Sequence, residues 1–330
     1  MGIGEYIKNH QPLAYRTFAN ALEKGRLSHA YLLMGEAGIP LKETAIYLAK
    51  SILCDHPSPF ADLTCRTCQR IDASDYPDFV CLDGSENSIK KDEVGNVLAN
   101  FNQTALERKG IMVYVIHEVE NMTIEAINSL LKFLEEPSPN TFAILTTRNE
   151  SKVLPTIISR CESVRMLLVP QEQVIQEATS IGVGKNDAEI LSFFNNDASL
   201  IAEQVETTDY QNAKLAFETM LEAFGEKPEY ARYVMEKTII PLINSKKSAR
   251  FYLDMLAMLF EDVASIRRQG RIHLSSYLSQ TKVIASSIPN PDRALLEVMT
   301  LRGEIDTNIN LGLLFTHLIY VIYKEESYGT

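Results

Sequence analysis

Five short apolar runs alternate with helical patterns in the first 168 residues. Nearly continuous apolar strands that alternate with helices are typical of a parallel sheet covered on both faces. The helical stripes are clearest in Leu41–Cys54 and in Thr123–Glu136, and Pro137 ends the second pattern. The sequence therefore predicts an α/β domain. Its predicted strands are Ala30–Met34, Asp78–Leu82, Ile111–Ile116, Phe142–Thr147 and Ser163–Val169.

The strand pattern disappears after Pro170. The residues that follow are typical of short helices, and from about Thr207 onward helix formers dominate. Clusters of glycine, proline and asparagine indicate where these helices are interrupted. The predicted interruptions are at 182–184, 195–197, 225–228, Gly270 and 289–291.

The length of the chain fits two or three domains, since it has 330 residues and a domain has roughly 150. We expect the α/β domain to cover residues 1–168. A small all-α domain over 169–208 and a larger all-α domain over 209–330 are expected to follow it.

The composition excludes several classes of protein. There are 43 acidic and 32 basic residues, so the formal net charge is −11. Such a surface does not, as a whole, wrap DNA, because affinity for the phosphate backbone depends on cationic side chains that release counterions. No apolar run approaches the ~20 residues of a membrane-spanning helix, and the amino-terminal residues lack the apolar part of a secretory signal. We therefore expect a cytoplasmic protein without membrane contact.

A glycine turn follows the first predicted strand and leads into a helix, which is where a phosphate-binding P-loop (G-x-x-x-x-G-K-[ST]) would lie. Gly35 and Gly38 are present, but Pro40 takes the place of the last glycine and Leu41 that of the lysine. Proline has no N–H to offer a phosphate. If Lys42 is moved into the lysine position, a glutamate stands where the magnesium-binding hydroxyl belongs. The segment is a degenerate nucleotide loop or an ordinary strand-to-helix turn.

The third predicted strand is followed by His117 and Glu118. P-loop ATPases place an acidic residue at this point to hold Mg²⁺, which prefers oxygen ligands. His117 offers a nitrogen instead, whereas Glu118 is placed to orient a water molecule. We expect no functional ATP site.

Three segments carry a family resemblance, namely Leu27–Leu32, Asn128–Pro137 and Ile157–Cys161. A helix that ends in Leu-Leu-Lys-x-Leu-Glu-Glu-Pro, followed some twenty residues later by Ser-Arg-Cys, is a specific combination. On these residues the chain resembles the clamp-loader branch of the AAA+ ATPases, and within it the delta-prime family of bacterial DNA polymerase III. The similarity is clear over 25–168 and weaker beyond, although Asp306–Tyr320 is similar to the family's carboxyl-terminal end.

The resemblance implies an AAA+ domain, a helical lid and a helical collar. It implies a stator that does not hydrolyse ATP and is not an enzyme alone. Its partners would be the delta subunit and a gamma/tau ATPase subunit, with the sliding clamp and primer-template DNA reached indirectly through the complex. Arg160, between Ser159 and Cys161, would be an arginine finger that reaches ATP on the neighbouring subunit. The alternative is a surface arginine in an intramolecular ion pair.

Two further features bear on the ATP site. Thr146 and Thr147 lie where the family has its first sensor, although a threonine pair at a strand end is as often structural. Active AAA+ members usually carry a basic sensor in the lid, and no lysine or arginine lies between Lys185 and Lys214. Both ATP-site motifs and the lid sensor are therefore altered, while the residue that acts in trans is intact.

A cysteine cluster predicts a zinc site. Cys65 and Cys68 form a C-x-x-C pair, and Cys54 precedes them at the end of a helix. The family has a further cysteine where this chain has Asp62. Structural zinc takes four ligands, commonly sulfur or imidazole. The alternative is that the metal is lost and the thiols are free. Further candidate ligands are His56 and Cys81.

Two other functions remain open on the sequence alone. An ATP-binding motor of the gamma/tau type would bind nucleotide as an isolated chain, which Pro40, Leu41 and His117 argue against. An AAA+ adaptor outside replication would differ in its partners.

Overall fold

The computed structural model describes residues 2–85, 87–101, 105–268, 270, 272–305 and 310–323. The chain forms two compact units: residues 1–173 with 194–199, and residues 174–193 with 200–330. The division of the helical part into lid and collar stays a prediction. Residues 306–309, which belong to the segment similar to the family's carboxyl-terminal end, lie outside the described residues.

The first unit contains a five-stranded parallel sheet with the strand order β2-β3-β4-β1-β5. Neighbours along a strand point to opposite faces, and every residue of β1 and of β3 is buried. Both faces of the sheet are therefore covered, which confirms the predicted parallel α/β domain. The strands are β1 Ala30–Met34, β2 Phe79–Asp83, β3 Met112–His117, β4 Thr141–Thr147 and β5 Glu162–Arg165.

The helices of this unit follow the predicted stripes. The helix Ile124–Glu135 begins where the Thr123 hydroxyl accepts the N–H of Ala126, and Pro137 lies just beyond its end. Its buried face packs on the sheet, with Phe133 in edge contact with Tyr114 of β3. The helices are α1 Ile3–His10, α2 Pro12–Glu23, α3 Leu41–Leu53, α4 Arg66–Asp72, α5 Lys91–Phe101, α6 Ile124–Glu135 and α7 Pro155–Ile158.

The last strand is shorter than predicted. β5 ends at Arg165, so the expectation that it continues to Val169 is wrong. The N–H of Met166 still bonds the carbonyl of Met34 on β1 at 2.7 Å, but the backbone after it binds side-chain amides instead of a strand. Leu167 exchanges two hydrogen bonds with Gln11 (2.7 and 2.8 Å), and Val169 exchanges two with Asn196 (2.7 and 2.8 Å). These contacts bring distant parts of the chain together, so no local pattern reveals them.

The chain after β5 is helical, and its described part contains no strand, as predicted. The interruptions expected near 182–184, 195–197, 225–228 and 289–291 each separate two helices. Across the described residues, no helix is both long enough and apolar enough to cross a membrane. The helices are α8 Gln171–Ser180, α9 Lys185–Leu191, α10 Ala198–Val205, α11 Thr208–Phe224, α12 Pro228–Val234, α13 Ile240–Leu242, α14 Lys246–Arg268, α15 Leu278–Ser287, α16 Pro291–Glu304 and α17 Leu311–Tyr323.

Asn196→Ala tests the role of these amides in the fold. The substitution leaves the buried N–H and carbonyl of Val169 without the asparagine partner. We expect the free energy of unfolding, measured by urea denaturation, to fall by about 1–3 kcal/mol. The control is Asn87→Ala at an exposed position, where the change is expected to stay below about 0.5 kcal/mol. Equal effects of both substitutions would contradict the assignment.

Candidate functional site

The loop predicted to be either a degenerate nucleotide loop or an ordinary turn connects β1 to α3. The N–H of Gly35 bonds the carbonyl of Thr147 on β4 at 3.2 Å, and Gly38 has a φ of +90°, a conformation that favours glycine. The carbonyl of Gly38 accepts the N–H of Asn196 at 2.8 Å. Pro40 stands directly before the first residue of α3 and has no N–H to donate. Gly35 and Gly38 of this loop are thus bonded to β4 and to Asn196 within the chain.

Arg148 contacts the loop through its guanidinium. Its Nη1 donates to the carbonyl oxygens of Glu36 (3.0 Å) and Ile39 (3.3 Å). A phosphate cradle presents N–H groups to an anion, whereas this loop presents carbonyl oxygens to a cation. The cavity beside it holds about 120 Å³, well below the ~300–1,000 Å³ of typical ligand pockets. Its lining includes Gly35, Glu36, Ile39, Thr147, Arg148 and Arg165.

Lys42 is also paired within the chain. Its ammonium lies 2.5 Å from a carboxylate oxygen of Asp83, the last residue of β2. Burial raises the pKa of Asp83, but hydrogen bonds from Lys42 and Ser85 outweigh that effect and lower it to about 2. The pKa of Lys42 is raised, because the contact with Asp83 outweighs the burial that lowers it. Both groups are therefore charged at neutral pH, and the chain itself supplies the cation at this edge of the sheet.

His117 is buried at the end of β3 and bonds a neighbouring strand. Its Nδ1 lies 2.7 Å from the hydroxyl of Thr146, which also accepts the N–H of Glu118 at 3.0 Å. Burial, helped by the charges of Arg148 and Lys42, lowers the pKa of His117 to about 4, so the imidazole is neutral at pH 7. The Thr146 hydroxyl is thus in use between two strands. A sensor role for it stays a prediction.

Thr147 is likewise engaged, since its hydroxyl accepts the N–H of Asn149 at 3.0 Å. Its sensor role also stays a prediction.

Glu118 is held by two side chains. Its carboxylate accepts Nε of Arg148 (2.8 Å) and Nδ2 of Asn121 (3.0 Å), and its backbone has a φ of +56°. A water-orienting glutamate needs a free carboxylate oxygen near the reacting phosphate. Here Arg148 links Glu118 to the two loop carbonyls. The Glu118 carboxylate and the loop are therefore tied together by one guanidinium.

Two residues of this network, Asp83 and Arg148, were missed by sequence reasoning. Asp83 ends β2, and Arg148 directly follows β4. The carboxyl ends of parallel strands meet at one edge of a sheet, where ligand sites of α/β folds lie. Charged residues at those ends were the signal that could have revealed them.

Arg160 lies at the surface, two residues after α7. Its Nη2 donates to the carboxylate of Glu135 (2.6 Å) and its Nη1 to the carbonyl of Thr156 (2.8 Å). The Arg160 side chain keeps 32% of its surface exposed. The ion pair weighed as the alternative is therefore present, at the surface and with both side chains partly exposed. The finger role stays a prediction.

The two residues that flank Arg160 have different environments. The Ser159 hydroxyl lies 3.4 Å from Nη1 of Arg160. Cys161 packs against the hydrophobic core, and burial raises the pKa of its thiol to about 12. We infer a packing role for Cys161.

The four predicted zinc ligands converge. One donor atom each from Cys54, Asp62, Cys65 and Cys68 lies within 4.8 Å of all the others. The Sγ atoms of Cys54 and Cys65 are 3.8 Å apart, which is about the sulfur–sulfur separation around a tetrahedral zinc with Zn–S bonds of about 2.3 Å. Within the described residues this group does not include His56 or Cys81.

The backbone around the cluster supports Asp62 as a ligand equivalent. Cys65 Sγ accepts the N–H of Cys68 at 3.4 Å, and Asp62 Oδ1 accepts the N–H of Cys65 at 3.0 Å. Asp62 and Cys65 thus occupy equivalent places in two successive turns of three residues. Lys109 brings a positive charge nearby, because its Nζ donates to the Cys54 carbonyl at 2.5 Å. The donor set and its spacing fit zinc, although zinc binding itself stays a prediction.

The chain is similar in sequence to known replication proteins. A family model described as "DNA polymerase III, delta subunit" matches residues 10–169. The DNA polymerase III subunit delta' of Bacillus subtilis (strain 168) is 28% identical over 95% of this chain and 96% of its own length. The subunit delta' of Pseudomonas aeruginosa is 38% identical over 41% of this chain and 42% of its own length.

The fold agrees with these matches. A DNA polymerase III gamma subunit-related protein from Thermotoga maritima superposes with a TM-score of 0.52 at 18% identity, over 93% of this chain and 98% of that one. This likeness supports an AAA+ domain followed by helical structure. The chain is therefore similar to the delta-prime subunits of bacterial DNA polymerase III, along nearly its whole length in the Bacillus subtilis case, and its fold is that of the AAA+ proteins.

Proposed function

We propose that this clamp-loader subunit is a stator: it does not hydrolyse ATP, and it donates Arg160 to ATP bound on a neighbouring subunit. One contrast carries the proposal. The partners of the cations beside its own loop are the partly buried Glu118 and Asp83, 14% and 32% exposed, whereas the partner of Arg160 is 50% exposed and readily exchanged. Such a chain contributes to phosphoryl transfer only by donating Arg160 to the active site of the neighbouring subunit.

Two contacts and one replaced metal ligand support a chain that does not hydrolyse ATP. Arg148 binds the loop carbonyls, Lys42 binds Asp83, and neutral His117 replaces the magnesium-binding carboxylate. A triphosphate with Mg²⁺ would have to break the first two contacts and would still lack an oxygen ligand from β3. A motor of the gamma/tau type needs a loop whose N–H groups and lysine are free to bind phosphate, and an acidic ligand for Mg²⁺. We therefore favour the stator over the motor.

The role of Arg160 is argued from its chemistry and exposure. A guanidinium in trans stabilises charge on the transferred phosphoryl group and raises the rate by roughly 10³–10⁵. The surface pair with Glu135 opposes this only weakly, because exposed ion pairs typically contribute ~0.2–1 kcal/mol. Arg160 is therefore released at little cost when a stronger anion approaches.

The partners follow from the family. We propose that the chain binds the delta subunit and a gamma/tau ATPase subunit, and that it acts on the sliding clamp and primer-template DNA only through the complex. The net charge of −11 supports an indirect role toward DNA. An adaptor outside replication would not co-purify with these subunits.

We propose further that Cys54, Asp62, Cys65 and Cys68 hold a structural zinc ion. When bound, zinc would cross-link the end of α3 to the turn before α4 and stabilise this part of the α/β domain.

Calorimetric titration of the isolated chain with Mg-ATP tests the nucleotide site. We expect no binding at millimolar nucleotide, because the Arg148 and Lys42 side chains are already paired within the chain and are not free to bind phosphate. An isolated gamma/tau ATPase subunit in the same buffer serves as the positive control. A dissociation constant below about 100 μM for this chain would overturn the assignment.

Arg160→Ala tests the finger in a reconstituted clamp loader. We expect hydrolysis at the adjoining site to fall by about 10³-fold or more, with assembly unchanged in gel filtration. Arg160→Lys is expected to restore little, since an ammonium lacks the planar fork of the guanidinium. Arg165→Ala, another exposed arginine paired with a glutamate, is the matched control and leaves hydrolysis intact. Normal single-turnover hydrolysis with Arg160→Ala would rule the finger out.

Metal analysis of protein purified without chelators tests the zinc site. We expect about one zinc ion per chain, and a lower affinity in chelator competition for Asp62→Ala. Asp62→Cys is expected to raise the affinity, because thiolate is the preferred zinc ligand. A zinc-to-protein ratio near zero would end the assignment.

A further inference from the structure

Two sequence motifs of this chain meet at one surface contact. Glu135 is the last residue of α6, in the Leu-Leu-Lys-x-Leu-Glu-Glu-Pro motif, and Arg160 is the centre of the Ser-Arg-Cys motif. Their side chains lie 2.6 Å apart, with 50% of Glu135 and 32% of Arg160 exposed. The stator function uses Arg160 but gives no role to Glu135.

We propose that Glu135 is a positioning residue for Arg160, a latch that holds the guanidinium on its own chain until a neighbour's triphosphate displaces the carboxylate. The inference rests on the proposed finger function. It assigns to the end of α6 the task of presenting the arginine and of keeping it from other anions before assembly.

The geometry of the guanidinium supports an exchange of partners. Nη1 stays tied to the carbonyl of Thr156, beside the Ser159 hydroxyl, while Nη2 reaches Glu135. Among the described residues, Arg160 makes no hydrogen bond through Nε. Because a guanidinium carries five N–H donors, one fixed contact to α7 leaves a fork for an incoming phosphate. The contact with Thr156 keeps the Arg160 guanidinium oriented while a phosphate replaces Glu135 as its other partner.

The charges favour the exchange in the presence of a triphosphate. A carboxylate carries one negative charge and here stands half in solvent, where its attraction for the arginine is screened. A terminal phosphate carries more charge, and at a subunit interface it lies in a drier environment. Glu135 therefore outcompetes dilute surface anions but yields to a bound nucleotide.

Chemical modification of arginine by phenylglyoxal measures the latch in the isolated chain. We expect Arg160 in Glu135→Gln to react about 1.5- to 5-fold faster than in the unmodified protein, the range set by a typical exposed ion pair. The rate at each arginine is followed by peptide mass spectrometry.

The matched control is Glu150→Gln, because Glu150 pairs with the exposed Arg165 in the same way. Glu150→Gln is expected to speed the reaction at Arg165 and to leave the rate at Arg160 unchanged. Glu135→Gln is expected to speed the reaction at Arg160 and to leave the rate at Arg165 unchanged. An unchanged rate at Arg160 in Glu135→Gln would overturn the latch, and so would an equal increase at Arg160 in both variants.

The same reaction in the assembled, nucleotide-loaded clamp loader tests the exchange. We expect Arg160 to be protected to the same extent in the Glu135→Gln variant and in the unmodified protein. In both proteins phosphate has then taken the place of residue 135 as the partner of the guanidinium. A difference between variant and unmodified protein that persists in the loaded complex would overturn the exchange. Failure of the finger function itself has a different result, in which Arg160 stays as reactive after assembly as before it.

Discussion

A single guanidinium organises the edge of the sheet where a nucleotide would bind. Arg148 joins Glu118, at the end of β3, to two carbonyl oxygens of the loop that follows β1. A cation at this point turns the loop into an acceptor of hydrogen bonds. Lys42 likewise pairs with the carboxylate of Asp83 at the end of β2. The chain's own charges therefore hold this edge in one arrangement.

The fold was accessible from the sequence because its signals are local. Continuous apolar strands, helical stripes and Pro137 located β1 and α6 within a residue or two. The extent of β5 was not accessible, since the amides of Gln11 and Asn196 reach it from more than 25 residues away. Distant polar contacts leave no periodic pattern in a sequence.

The candidate site divides in the same way. Pro40 and His117 could be interpreted from the sequence alone, because proline has no N–H to donate and imidazole offers a nitrogen where Mg²⁺ prefers oxygen. The sequence did not show what replaces them. Arg148 and Asp83 enter the site through the strand order, and Glu135 reaches Arg160 through the packing of α6 beside α7. The cysteine cluster was predictable in full, since the resemblance supplied Asp62 and three cysteines lie close together in the chain.

We propose that Arg148 and Lys42 occupy this site in place of a nucleotide and its metal. A crystal structure of the isolated chain soaked with Mg-ATP tests this proposal. We expect an unchanged loop, with Arg148 still bonded to the carbonyls of Glu36 and Ile39 and Lys42 still on Asp83. A triphosphate bound along the loop, with Arg148 displaced and magnesium near His117, would contradict it.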